Sequence, residues 1–114
     1  MSEHISSQFE NDILQINVHL TKMGGICEDN LKKAIKAITK NDSELAEYII
    51  KKDEELNALE SEIDDLVIKT IALRQPVADD LRLLFAAIKI SSAFERIGDL
   101  IKNIGKRTLL ISEE

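Results

Sequence analysis

Acidic and amide side chains recur in two stretches of the sequence at the spacing of a single helical face. The first stretch carries four of them at steps of four, three and four residues: Asp53, Asn57, Glu60 and Asp64. In the second stretch, Glu95 and Asp99 form an E-x-x-x-D pair one helical turn apart. All the donors are hard oxygens, which Mg²⁺, Mn²⁺, Ca²⁺ and iron accept more readily than structural zinc does. The chemistry that these residues could perform is therefore the binding of a metal ion.

The position of a turn between the two stretches predicts whether they meet. Asp53 lies 22 residues before Gln75, whereas Glu95 and Asp99 lie 20 and 24 residues after it. Antiparallel helices place residues at the same level when they are equally distant from their connection. Asp53 should then lie level with the gap between the other two, offset by about 3 Å in either direction. The count predicts three carboxylates in one seam.

Two explanations of such a cluster stay open from the residues alone. Like charges at close range shift each other's pKa values unless a cation or a basic side chain lies between them, and a bound metal is the simplest such cation. In the alternative, a chain with 21 acidic residues produces this spacing by chance, and Lys51, Lys52 and Arg96 pair with the carboxylates.

Three helices must position these residues. Turn signals fall at Asn41-Asp42-Ser43 and at Arg74-Gln75-Pro76, which predicts one domain over residues 1–114 with helices at about 7–40, 42–74 and 76–111. Ser7 and Glu10 are typical of a capping box, and Pro76 suits the first position of the third helix. Helices of this length, about 50 Å each, need continuous packing partners. Short connections make neighbours antiparallel, so we expect an all-α, up-down-up three-helix bundle.

The third helix carries a long stripe of mainly apolar residues. Its members recur at steps of three and four residues: Leu83, Ala87, Ile90, Phe94, Ile97, Ile101, Ile104, Thr108 and Ile111. A flanking set is expected to stay partly exposed on a lone bundle: Leu84, Phe85, Ile88 and Leu100. An exposed apolar band calls for a partner, so we expect self-association or the docking of a further repeat. Gly98 and Gly105 share a face, which favours close approach of a neighbouring helix.

Charge and cysteine content exclude several classes of protein. The formal net charge is −6, which disfavours a nucleic-acid-binding protein because such proteins need positive surface. Cys27 is the single cysteine, so no intramolecular disulfide can form. The longest apolar run, from Leu83 to Ile88, is far shorter than the roughly 20 residues of a membrane-spanning helix. Together these features lead us to expect a cytoplasmic protein.

Two segments of the chain resemble the PhoU family. The run from Ala72 to Arg82 and the run from Phe94 to Asp99 carry the most specific match. Met23-Gly24 and Asp53 with Asn57 also fall where the family pattern places them, so the resemblance covers nearly the whole chain. PhoU proteins consist of two tandem three-helix repeats, and this chain is similar to one. The resemblance thus implies the N-terminal half of a longer protein, or a single-repeat relative that pairs with another copy as a homodimer.

The resemblance also implies a function. A PhoU protein is a cytoplasmic, non-enzymatic negative regulator of phosphate uptake and phosphate-starvation signalling. It acts as an adaptor between the ATPase of a phosphate ABC transporter and a sensor histidine kinase, and it meets the membrane only through these partners. The alternative is a metal-binding structural or oligomerisation bundle without a signalling role. A di-metal enzyme is disfavoured because the Glu-x-x-His pairs of such sites do not occur here.

The family's metal motifs map onto the acidic residues. Members bind metal clusters, typically of iron or zinc, through E(D)-x-x-x-D motifs, and these carry over to Glu95 with Asp99 and to Asp53 with Asn57. Asn57 departs from the pattern because it supplies an amide where the motif has a carboxylate.

Basic and acidic residues also cluster around the second turn. Asp80 could tie the start of the third helix to Arg74 or to Arg82. Capping is the favoured interpretation. The alternative is partner recognition, with Arg74, Asp80, Arg82 and Arg96 as the contact residues.

Overall fold

Three long helices make up the fold. The computed structural model describes residues 2–112, with side chains from residue 7 onward. The helices are α1 (Ser2–Lys40), α2 (Ser43–Arg74) and α3 (Ala78–Ser112), and each packs against the other two. They form an up-down-up bundle 65 Å long and 18 by 15 Å across, which confirms the predicted all-α architecture. None of these helices, over the part of the chain that the structure describes, combines the length and apolarity needed to cross a membrane.

The first connection is closed by an aspartate cap. The Asp42 side chain accepts a hydrogen bond from the Leu45 backbone N–H at 3.1 Å and so caps the N-terminus of α2. Its own N–H donates to the Ala37 carbonyl at 2.8 Å. Asn41 takes a left-handed conformation, with φ 56°, which asparagine tolerates better than most residues. These contacts reverse the chain within two residues and set α1 and α2 antiparallel.

The predicted starts of two helices were wrong. α1 begins at Ser2, so Ser7 lies inside the helix and the capping-box interpretation of Ser7 with Glu10 fails. α3 begins at Ala78, so Pro76 lies in the connection and not at the first helical position. The reason is a left-handed backbone at Ala78, with φ 52°, which a right-handed helix starting at residue 76 could not contain.

The core consists of two hydrophobic clusters placed end to end. Buried members of the larger cluster are Phe9, Ile16, Met23, Cys27, Leu56, Ile63, Val67, Leu84 and Ala87. Buried members of the smaller cluster are Ala34, Ala37, Ala46, Ile49 and Ile101. Between the two lies a layer of buried polar and glycine residues, so the apolar core of the described residues is divided into two parts.

The inner face of α3 differs from the predicted stripe. Ala87, Ile101 and Thr108 are buried as expected, but four large members are exposed: Leu83, Ile90, Ile97 and Ile111. Leu84, which was expected to stay exposed, is fully buried, whereas Phe85 and Leu100 are exposed as predicted. Small residues occupy the inner face instead, because α2 approaches closely. A Cβ on Gly105 would lie 3.2 Å from the Ala46 carbonyl oxygen.

Candidate metal centre

The side chains of α2 and α3 meet in an acidic seam formed by Asp53, Asn57, Glu95 and Asp99. Asp53, Glu95 and Asp99 each offer one carboxylate oxygen, and these three atoms lie within 4.8 Å of one another. Asn57 directs its amide nitrogen to both oxygens of Glu95, the longer contact being 3.1 Å. The structure therefore brings together all four residues that the sequence predicts as metal ligands. Their role as ligands stays a prediction.

Asp53 is the inner member of the acidic seam. The residue is only 3% exposed, and its Oδ1 has no hydrogen-bond partner among the described residues. The other oxygen, Oδ2, lies 3.9 Å from the Lys102 ammonium nitrogen, a contact too long for a strong hydrogen bond. Gly98 creates the space for this carboxylate, since a Cβ there would lie 2.8 Å from Asp53 Oδ1. A buried carboxylate oxygen without a donor is costly unless a cation or a water molecule satisfies it.

The basic side chains that could have neutralised the seam lie elsewhere. Lys52 pairs with Glu55 at 2.7 Å, and Lys51 and Arg96 are exposed. The basic residue that does lie near Asp53 is Lys102, which the alternative explanation did not include. The seam is therefore short of positive charge.

This shortage raises the pKa values of the carboxyl groups. Burial, followed by repulsion from Glu60, Asp53 and Asp99, raises the pKa of Glu95 to about 7. Burial and then the Asp99 charge raise the pKa of Asp53, although Lys102 partly opposes the shift. The pKa of Glu60 is also raised, by burial and then by Asp64 and Asp99. Glu60 thus belongs to the electrostatic surroundings of the seam.

The donor set fits a hard divalent cation. Three carboxylates and one amide can supply oxygen ligands from two helices. The nearest soft ligand is Cys27, whose thiol donates weakly to the Phe94 carbonyl at 3.5 Å. Burial, and then the charges of Asp53 and Glu95, raise the pKa of this thiol and so disfavour, in the metal-free chain, the thiolate form that zinc prefers. Magnesium, manganese, calcium or ferrous iron suits the seam better.

Asn30 of α1 is the residue that sequence reasoning missed. It is 3% exposed, and its Oδ1 is the second buried side-chain oxygen without a partner among the described residues. The only sequence signal was a polar residue on the apolar face of α1, four residues before Ala34 and three after Cys27.

The residues predicted for partner contact form pairs that the sequence did not predict. Arg74 does not pair with Asp80, as the sequence suggested, because its guanidinium turns to α1. Arg82 pairs with Asp79 at 3.3 Å in an exposed contact, and Asp80 is exposed beside it. Arg96 lies 14 residues beyond Arg82 along α3, about 21 Å away at 1.5 Å per residue. The expected pairing of Arg74 with Asp80 was therefore wrong, and a role of Arg74, Asp80, Arg82 and Arg96 in partner recognition stays a prediction.

Arg74 instead clamps the end of α2 to α1. Its Nε donates to Asp12 Oδ2 at 2.9 Å and its Nη1 donates to Gln8 Oε1 at 2.9 Å, with both charged side chains about three-quarters buried. Arg74→Met should lower the free energy of unfolding by about 1 to 3 kcal/mol, because it leaves a buried carboxylate without its donor. Urea denaturation measures this loss.

A double-mutant cycle with Asp12→Asn separates the pair from other effects of the substitution. Losses that simply add in the double variant would show that Arg74 and Asp12 do not interact. Exposed Arg82→Met is the matched control and should stay within about 0.5 kcal/mol of the wild type.

Known proteins resemble this chain in sequence over nearly its whole length. Residues 20–108 match the family described as PhoU domain. Among curated relatives, the phosphate-specific transport system accessory protein PhoU homolog of Caulobacter vibrioides strain NA1000 is 43% identical over 113 residues, which is 99% of this chain and 49% of that protein. The PhoU accessory proteins of Serratia marcescens and Escherichia coli K12 are 42% and 38% identical over 109 residues, 96% of this chain and 45% of each relative. The chain spans about half the length of the curated relatives that it matches.

Proposed function

The chain belongs to the PhoU family, and from this membership we propose that it regulates phosphate uptake and phosphate-starvation signalling. The single observation that carries the proposal is the identity of 43% over 99% of the chain to a phosphate-specific transport system accessory protein. In this proposal the chain is a cytoplasmic negative regulator that acts when phosphate is plentiful. It bridges the ATPase of a phosphate ABC transporter and a sensor histidine kinase, without catalysing a reaction itself.

The chemistry of the seam supports a binding role. Carboxylate and amide oxygens are the ligands that hard divalent cations accept. The described residues of the acidic seam are carboxylates and amides, and His19 lies in a separate contact with Glu62 at 2.8 Å. A binding protein can use the seam as it stands, since oxygen ligands alone hold a cation.

The proposed cation is held by Asp53, Glu95 and Asp99, with Asn57 as a fourth ligand. For Asn57 to be a ligand, its side-chain amide rotates so that the oxygen, and not the nitrogen, faces the cation. When bound, the ion supplies positive charge between α2 and α3. The two helices then share ligands, so cation occupancy fixes their relative position.

An exposed apolar stripe on α3 supports an assembly larger than one bundle. Leu83, Ile90 and Ile97 follow one another at intervals of seven residues and remain 41 to 51% exposed. Large apolar residues repeated along one face are typical of a surface that packs against another helix. We propose that a second copy, or a second repeat of a longer chain, covers it. This stripe also favours the alternative function, an oligomerisation bundle without a signalling role.

Removal of the acidic seam tests the proposed cation. The chain, purified without a metal-affinity tag, should contain bound metal by mass spectrometry, or take up Mn²⁺ at one equivalent or more. Glu95→Ala/Asp99→Ala should abolish this, because it removes two of the three clustered carboxylates.

The control Glu47→Ala/Glu54→Ala removes two exposed carboxylates from α2 and should keep the metal. Metal retained by the seam variant would place the cation elsewhere, and no uptake by the wild type would leave the carboxylates without a cation.

A second experiment tests the regulatory role. The chain in its native cell should co-purify with the transporter ATPase or the sensor kinase, and its deletion should switch on phosphate-starvation genes in phosphate-rich medium. Capture of neither protein, together with an unchanged phosphate response, refutes the regulator and leaves the oligomerisation bundle. The two functions are therefore separable by one deletion strain.

A further inference from the structure

A polar layer crosses the bundle at the level of the acidic seam. It separates the cluster that contains Cys27 and Leu56 from the cluster that contains Ala34 and Ile49. Each helix places one buried residue in the layer: Asn30 from α1, Asp53 from α2 and Gly98 from α3. Polar side chains at the centre of a core are destabilising unless they are hydrogen-bonded, so this layer requires an explanation.

The connection between α1 and α2 sets Asn30 and Asp53 at the same level. Asn30 lies 12 residues before Asp42, and Asp53 lies 11 residues after it. In antiparallel helices joined by a two-residue connection, these counts place the two residues within about 1.5 Å along the bundle axis. Both side chains point to the interior, since each is only 3% exposed.

The unpartnered oxygens of this layer are chemically alike. Asn30 Oδ1 and Asp53 Oδ1 are the two buried side-chain atoms, among the described residues, that have no hydrogen-bond partner. A carboxylate oxygen and an amide carbonyl oxygen both accept hydrogen bonds, so neither can satisfy the other. A water molecule complements the pair because it can donate one hydrogen to each. The absence of a Cβ on Gly98 lets Asp53 Oδ1 lie in this layer, because a Cβ there would be only 2.8 Å from that oxygen.

We propose that Asn30 is a positioning residue for the acidic seam, acting on Asp53 through one buried water molecule. The water donates a hydrogen bond to the inner oxygen of Asp53, Oδ1. The outer oxygen of Asp53, Oδ2, then faces the cation beside Glu95 and Asp99. This inference rests on the proposed cation site, and it adds a residue of α1 to a site otherwise formed by α2 and α3. Residues that orient metal ligands from behind typically change metal affinity by about 10- to 100-fold when they are replaced.

Mn²⁺ titration of the full chain by calorimetry tests the proposal. Asn30→Leu should raise the Kd for Mn²⁺ by about 10-fold or more, because Asp53 loses its inner support. The metal-free variant should also unfold at a lower urea midpoint, because leucine leaves the buried Asp53 Oδ1 without the water that donates to it. Asn30→Gln keeps an amide oxygen and should stay within about threefold of the wild-type Kd, less than the tenfold effect of a lost supporting group.

A matched control comes from the same helix. Asn17→Leu makes the same change at an exposed position of α1 and should leave the Kd unchanged. An unchanged Kd in Asn30→Leu overturns the positioning role while the cation site stands. Wild-type protein that binds no Mn²⁺ overturns both.

A crystal structure of the Mn²⁺-bound wild type tests the proposal without any substitution. The proposal requires an ordered water molecule within about 3.2 Å of both Asn30 Oδ1 and Asp53 Oδ1. Density that shows the two side chains packed without a shared water overturns it.

Discussion

Replacing Gly98 with alanine is expected to destabilise the bundle by about 1 to 3 kcal/mol and to weaken cation binding at the acidic seam. A Cβ at this position would lie 2.5 Å from Leu56 Cδ1 and 2.8 Å from Asp53 Oδ1, both closer than atoms pack. Leu56 is fully buried and Asp53 almost so, which leaves little free space for either side chain to move. The loss should outweigh the gain of about 1 kcal/mol that alanine brings to a helix interior.

Gly25→Ala provides the matched control, because a Cβ at this exposed position of α1 would meet no atom within 4 Å. This variant should be more stable than the wild type by about 0.5 to 1 kcal/mol, from helix propensity alone. Urea denaturation of both variants, with Mn²⁺ titration, measures the contrast. A Gly98→Ala protein as stable as Gly25→Ala, with wild-type Mn²⁺ affinity, would contradict the close approach of α2 and α3.

The inner face of α3 shows why its sequence was misread. The buried face of α3 includes small or weakly polar residues, such as Ser91, Gly98 and Gly105, and α2 lies close to the two glycines. A search for large apolar residues at helical spacing selects the neighbouring stripe, to which Ile90 and Ile97 belong. Hydrophobic periodicity identified the helices and their order, but close packing reverses the usual relation between side-chain size and burial.

The acidic seam could be predicted from the sequence because one short connection fixes its register. Counting residues on either side of Gln75 places Asp53 level with Glu95 and Asp99, and the structure brings these three together. Asn30 could not be found in this way, since a single polar residue on an apolar face gives no partner. The Arg74 contact with Asp12 joins residues 62 positions apart, and a nearer acidic residue offered the more obvious pair.

Metal-free protein is expected to lose stability as the pH rises from about 4.5 to about 7. The pKa of Glu95 is raised from 4.5 in the unfolded chain to about 7 in the bundle, first by burial and then by the neighbouring carboxylates. Within this range the folded state holds more protons than the unfolded state, so the free energy of unfolding falls with rising pH. The destabilisation caused by ionised Glu95 is absent below pH 4.5 and complete above about pH 7. The raised pKa values of Asp53 and Glu60 act in the same direction.

Glu95→Gln should remove most of this dependence. Glutamine keeps the shape of the side chain and an oxygen that can accept from Asn57, but it carries no charge to bury. The metal-free variant should be more stable than the wild type at pH 8 by the order of 2 kcal/mol, allowing for the partial exposure of Glu95, and nearly equal to it at pH 4.5. Denaturation across this pH range measures the difference, and Glu54→Gln, on an exposed face of α2, should follow the wild-type profile.

The same substitution should have the opposite effect once Mn²⁺ is present. A cation compensates the buried negative charge, so it should restore stability to the wild type above pH 7 and leave the variant, which lacks one ligand, little changed. Binding must displace the proton that Glu95 holds near neutral pH, so Mn²⁺ affinity should rise with pH and calorimetry should detect proton release. Wild-type stability that rises with pH through this range, or a variant that keeps the wild-type slope, would show that the seam does not raise the pKa of Glu95. The carboxylates would then be neutralised within the bundle, and the energetic reason for a cation at this site would disappear.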